Sequence, residues 1–227
     1  MRRSALLLLV LLAACGRQAA PQPGEVIRFE TSDGVELAGE LRGEGTSGVV
    51  LGHMYGSSRE AWAAFAQQAA DAGYRTLAFD LRGFGESGGT SSAPDAPTDL
   101  RAAVEAIREH GAQEVVVIGA SFSGTGALVA AGEENWAGVV TLSAPASFEG
   151  LRADEAVVEA VDEPKLFIAA QGDGSAASSA QGFYDASSGA KRVEIVVGDE
   201  HGTDLLESSR AQLVRDLLMA FLRAQLS

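Results

Sequence analysis

The chain reads as one α/β domain: a mostly parallel sheet that opens with an antiparallel hairpin and carries helices on both faces. Four observations predict this. Val115-Val116-Val117-Ile118 places four β-branched residues in a row, as in a strand buried on both faces. The small residues after it, Gly119-Ala120-Ser121-Phe122-Ser123-Gly124, allow a sharp turn into the helical pattern Thr125 to Ala131. From Val49 onward, short apolar runs alternate with helical periods, which is the pattern of a parallel sheet covered on both sides. Finally, 227 residues of which 46% are hydrophobic support one sizeable core and not two comfortable domains.

Taken in order, the chain begins with Met1-Arg2-Arg3 and the apolar run Ala5 to Leu12. This is the charged n-region and short h-region of an export signal, too short to span a bilayer as a stable helix. It ends in Leu12-Ala13-Ala14-Cys15, which resembles the lipobox of bacterial lipoproteins. The resemblance implies removal of residues 1–14 and lipidation of Cys15. It also implies an exported protein held on the outer side of the cytoplasmic membrane, or in the periplasm or outer membrane. An ordinary secretory signal with an incidental cysteine is the alternative. Cys15 is the only cysteine, so no intramolecular disulfide is available. Residues 15–24, with Pro21 and Pro23 among small and polar neighbours, read as a tether, and the folded body is expected over 25–227.

Val26 to Glu30, the turn Asp33-Gly34 and Val35 to Leu41 make the N-terminal hairpin. Strands follow at Val49 to Leu51, Arg75 to Phe79, Glu114 to Ile118, Val139 to Leu142, Lys165 to Ala169 and Val193 to Val197. Helices are expected near Ser58 to Ala72, Pro97 to His110, Asp154 to Val161 and, as an amphipathic closing element, Leu205 to Leu226. The formal charge of −14 argues against nucleic acid or anionic lipid as a partner of the folded body. There is no metal-ligand spacing, phosphate-cradling loop or dinucleotide fingerprint, so no cofactor is expected.

A serine at the apex of a strand-to-helix turn is lifted out of the sheet, with helix N–H groups aimed at whatever its oxygen attacks. Ser121 is therefore the candidate nucleophile. Gly119-Ala120-Ser121-Phe122-Ser123-Gly124 resembles the G-x-S-x-G elbow of the α/β-hydrolase family, with Ser123 in place of the closing glycine. Gly52-His53-Met54-Tyr55-Gly56 is similar to that family's oxyanion loop, with Met54 at a usual glycine. Asp80-Leu81-Arg82-Gly83-Phe84-Gly85-Glu86-Ser87 resembles its D-x-R-G-x-G-x-S segment, and Gln171-Gly172-Asp173 the end of its acid-bearing strand, with Ala170 at another glycine. The resemblance spans about Arg28 to Leu222. It implies that the Tyr55 and Phe122 N–H groups form an oxyanion hole, that Asp80 and Arg82 tie loops together, and that Asp173 is the acid.

Of the three histidines, His201 follows the last strand, where the family keeps its general base. His53 reads as a loop brace and His110 as a helix C-terminal residue. The order Ser121, Asp173, His201 is that of this fold. A pure turn role for Asp173 in Gly172-Asp173-Gly174 stays open. Only 143–164 separate two strands where related enzymes insert a lid, so an open site is expected, with Met54, Tyr55, Phe84 and residues near and including Ala144 contributing to the substrate pocket. The implied activity is cleavage of small carboxylic esters or thioesters through an acyl-enzyme. A peptidase or acyltransferase would use the same parts. A surface lipoprotein using the fold only for binding is the reading from another class.

Overall fold

The computed structural model describes residues 23–226. The predicted signal, Cys15 and most of the tether lie outside the described residues. The expected hairpin forms from β1 (Glu25–Glu30) and β2 (Glu36–Arg42), paired antiparallel. Gly34 takes φ 83° at its turn, a left-handed conformation that suits glycine. Just before β1, the Gly24 N–H donates to Glu40 Oε1 at 2.9 Å.

Alternation of strand and helix follows: β3 (Ser47–Gly52), α1 (Ala63–Asp71), β4 (Arg75–Phe79), α2 (Ala96–Glu109), β5 (Glu114–Ala120), α3 (Phe122–Ala131) and β6 (Gly138–Leu142). A small hairpin, β7 (Ser147–Phe148) and β8 (Leu151–Arg152), precedes α4 (Glu155–Glu159), β9 (Lys165–Ala170), α5 (Gly174–Ala186), β10 (Lys191–Val196) and α6 (Ala211–Gln225). Eight strands form one sheet in the order β1-β2-β4-β3-β5-β6-β9-β10. Within that sheet, among the described residues, only the β1–β2 and β2–β4 pairs are antiparallel. The expected α/β fold class is the one observed.

The unbroken apolar run of β5 has a plain cause. Val115 and Val117 point into one core with Leu100, Ile107, Leu128 and Phe183, while Val116 and Ile118 point into the other with Phe65, Leu218 and Leu222. Alternate residues of a central strand thus bury on opposite faces, and neither face can be polar. The C-terminal ends of β3, β4, β5, β6, β9 and β10 then deliver their loops to a single rim.

Three elements differ from expectation. Helix α5 was not legible, because it buries only Ala176, Ala180 and Phe183 and fills the rest with Gly and Ser of poor helix propensity. Packing holds it, with the Phe183 ring 5.8 Å from that of Phe167 on β9. The closing helix is split: a 3-10 turn over Gly202–Leu206 stops before α6 starts. Ser208 interrupts it, its hydroxyl donating to the Leu205 carbonyl and accepting from the Arg210 N–H, a local competition that serines offer. The third is the β7–β8 hairpin, where a loop alone was expected before α4.

Candidate active site

Ser121 sits between β5 and α3 with φ 55° and ψ −127°, a sparsely populated conformation for a residue with a side chain. Surrounding bonds hold it there: its N–H donates to the Leu142 carbonyl at 2.8 Å, and its carbonyl accepts from the Gly124 and Thr125 N–H groups at 2.9 and 3.2 Å. The turn is tight enough that a Cβ on Gly119 would lie 2.5 Å from the backbone of Ser123 and Gly124. Phe122 opens α3, so its N–H has no acceptor within the helix.

Ser123 does not loosen this turn. A Cβ on Gly52 would lie 3.0 Å from its oxygen, so the room that serine takes is supplied by a glycine on β3. The close strand–helix contact moves to Gly124, where an added Cβ would come within 2.8 Å of the Gly119 carbonyl. The fully buried Ser123 hydroxyl accepts from the Ala120 N–H at 2.9 Å and lies 2.9 Å from the carbonyls of Gly52 and Ala120, to either of which it can donate. It therefore clasps the elbow to the strand that carries the His53 loop. Ser123→Ala is expected to destabilise the protein by about 1–3 kcal/mol in urea unfolding, because the Ala120 N–H is left buried and unpaired.

His201 lies between the other two predicted residues. Its Nε2 is 2.8 Å from Ser121 Oγ, and its Nδ1 is 2.9 and 3.0 Å from the Asp173 carboxylate oxygens. Asp173 occupies the N-cap position of α5 yet makes no capping bond from its side chain, which turns to His201 instead. A carboxylate in a mere turn would be free to cap its own helix. The acid and histidine loops are tied together, since the Gly172 N–H donates to the Gly198 carbonyl at 2.8 Å. The histidine side chain is 42% exposed, so the site is open to solvent.

His53 is a fully buried brace, as expected. Its Nε2 accepts the Leu81 N–H at 3.0 Å, which puts its proton on Nδ1, donated to the Met54 carbonyl at 2.8 Å. That carbonyl also accepts from the Ser57 N–H, fixing the loop that presents Tyr55. Burial pushes the His53 pKa down, against weaker pulls from the Met54 carbonyl, Asp80 and Glu60. The sign follows: the unfolded chain takes up a proton below about pH 6.5 while the native chain does not, so stability present above that pH is lost as pH falls through it. Urea unfolding between about pH 5 and 7.5 should show a shallower pH slope for His53→Gln than for the wild type.

Asp80 and Arg82 hold loops, as the sequence suggests. Asp80 accepts from the Arg59 N–H and guanidinium and from the Glu86 N–H; Arg82 pairs with Asp33, Asp95 and the buried Asp99. His110 caps α2, with Nδ1 2.8 Å from the Ala106 carbonyl.

One expected pocket residue needs correction. Ala144 is 1% exposed and packs beneath the elbow, its Cβ 3.0 Å from where Gly124 would carry one, so it does not face solvent. Met54 is turned against the loop after His201, with Sδ 2.9 Å from the Cβ position of Gly202. Phe84 does reach the rim with Tyr55, and the side chains of Phe122 and Phe148 join them in a ring cluster that the sequence did not foretell. The Tyr55 ring lies 5.3 Å from Phe84, 6.1 Å from Phe122 and 5.4 Å from Phe148. Phe148 stands on β7, whose turn residues Glu149 and Gly150 both have positive φ, as two-residue hairpins require. That Gly-containing turn between short apolar runs was the available signal. A cavity of about 570 Å³ opens between α4 and α5, but neither Ser121 nor His201 lines it, nor do Met54, Phe84 and Ala144.

No curated protein matches the chain in sequence. Its fold is similar to that of an esterase from Pyrococcus furiosus, at 21% identity and a TM-score of 0.76, covering 89% of this chain and 91% of that one. It is also similar to the esterase RhEst1 from Rhodococcus sp., at 16% identity and a TM-score of 0.74, covering 88% and 99%. The family model described as alpha/beta hydrolase fold matches residues 49–163, which include the Gly52–Gly56 loop and the Ser121 turn, and the chain is a member of the α/β-hydrolase family.

Proposed function

We propose that the protein is a serine hydrolase that cleaves small carboxylic esters or thioesters through an acyl-enzyme on Ser121. The observation that carries this reading is His201, which stands 2.8 Å from Ser121 Oγ on one side and 2.9 Å from Asp173 on the other. Neutral His201 takes the hydroxyl proton at Nε2 as Oγ attacks the carbonyl carbon, and Asp173 holds the Nδ1–H tautomer and steadies the imidazolium that forms. The Tyr55 and Phe122 N–H groups receive the developing oxyanion. The proton then passes from Nε2 to the leaving alkoxide or thiolate. His201 next activates water, which attacks the acyl carbon and regenerates Ser121.

A fluorophosphonate probe should label the wild-type protein, and p-nitrophenyl acetate should be hydrolysed. An unlabelled, inactive wild type would leave only the fold. Attachment to a membrane through Cys15 belongs to the same proposal and rests on Leu12-Ala13-Ala14-Cys15. Palmitate incorporation that disappears in Cys15→Ser supports it, and incorporation that survives removes it.

A further inference from the structure

The residues whose N–H groups would hold the oxyanion carry aromatic side chains, and those side chains belong to one cluster. Phe122 is the buried floor, 2% exposed. Phe84 lies 6.2 Å from it and Phe148 5.9 Å, both half-buried. Tyr55 meets all three and is 48% exposed, with nearly edge-on contacts of 81° to Phe84 and 76° to Phe122. Four separate loops contribute: those after β3, β4 and β6, and the elbow itself. Each carries its ring to the same rim of the sheet.

Such a cluster costs something to expose. Monomers rarely leave grouped large aromatics in water without a partner, and scattered single residues would not meet at ring-to-ring distances. The rings are also braced from below. His53, itself tied to Met54 and Leu81, lies 5.2 Å from Phe84 and 6.5 Å from Phe122 in edge-to-face contact. Phe148 is set by β7–β8 pairing, Phe148 opposite the buried Leu151. The cluster thus includes the side chains of Tyr55 and Phe122, which flank the elbow loops, and its exposed member offers a ring partner a further stacking position.

Resting on the hydrolase reading above, we infer that Tyr55, with Phe84 and Phe148, forms a subsite for a planar aromatic ring carried on one side of the scissile bond, so that the substrates are aryl or arylalkyl esters. The carbonyl oxygen lies at the Tyr55 and Phe122 N–H groups, and the adjoining aryl group lies on the Tyr55 ring. Aliphatic rings of equal bulk lack the edge-and-face charge pattern that makes such contacts favourable.

Matched pairs test this. Ethyl phenylacetate is compared with ethyl cyclohexylacetate for the acyl side, and benzyl acetate with cyclohexylmethyl acetate for the alcohol side. In at least one pair kcat/KM should favour the aromatic member about three- to ten-fold. Tyr55→Leu and Phe148→Leu should each bring that ratio close to one, and any general loss of activity cancels within the pair. A wild-type ratio near one in both pairs, or a ratio unmoved by both substitutions, overturns the inference.

Binding of phenylacetate against cyclohexylacetate, and of benzyl alcohol against cyclohexylmethanol, to Ser121→Ala by calorimetry separates the two readings. An aromatic preference in binding, with no turnover of any ester by the wild type, keeps the subsite and removes the hydrolase. Turnover with no aromatic preference does the reverse.

Discussion

Ser121→Ala lowers ester hydrolysis on the order of a million-fold, measured as kcat in single-turnover or steady-state assays, and abolishes fluorophosphonate labelling. The size follows from what the hydroxyl does: without Oγ there is no acyl-enzyme, and the residual rate comes from bound water facing the same oxyanion donors. The fold is expected to survive, because the elbow is held by main-chain bonds from Ser121 to Leu142, Gly124 and Thr125 and by the Ser123 clasp, none of which uses Ser121 Oγ. An Ala variant that keeps more than about a tenth of the activity would remove Ser121 from the chemistry.

Asp173→Asn lowers kcat about ten-thousand-fold with little change in melting temperature. The acid's role is orientation. With a carboxylate opposite, Nδ1 must carry the proton and Nε2 is free to accept from Ser121. An amide places an N–H against Nδ1, reverses the tautomer and points a proton at the nucleophile. Asp173 is mostly covered, with a side chain 12% exposed, so bulk water cannot substitute for it. The turn itself persists, since the Asp173 N–H still donates to Ala170 and the Gly172 N–H to Gly198. Asp199→Asn, one loop away, serves as the control and should leave turnover within a few-fold. Equal effects at the two positions would reduce Asp173 to a turn residue.

Both predictions concern residues that could be picked out before any coordinates. Ser121 stands out because a buried strand followed by small residues must turn sharply there. His201 stands out because it is the one histidine placed after the final strand, and Asp173 because it follows a strand in the order the fold requires. What could not be read was anything resting on a partner far along the chain. Ser123 departs from the elbow pattern, and only the fold brings Gly52, 71 residues away, beside it to make room and offer a carbonyl. Ala144 looked like a pocket residue because it follows β6, yet the pleat sends it under the elbow. Phe148 gave no sign of reaching Tyr55, since two-residue strands leave almost no periodic trace.

The sequence alone determined the strand and helix succession, the two-faced burial of β5 and the identities of the nucleophile, acid and base candidates. The succession, the two-faced burial and the nucleophile are local matters of side-chain period, turn chemistry and small residues at one sharp bend, whereas the acid and base follow from the resemblance to the α/β-hydrolase family. The tertiary structure decided the distances among those side chains, the repair of the elbow by Gly52 and the gathering of four aromatic rings at one rim. These depend on strand order and register, which bring together residues whose separation along the chain carries no information about their contact.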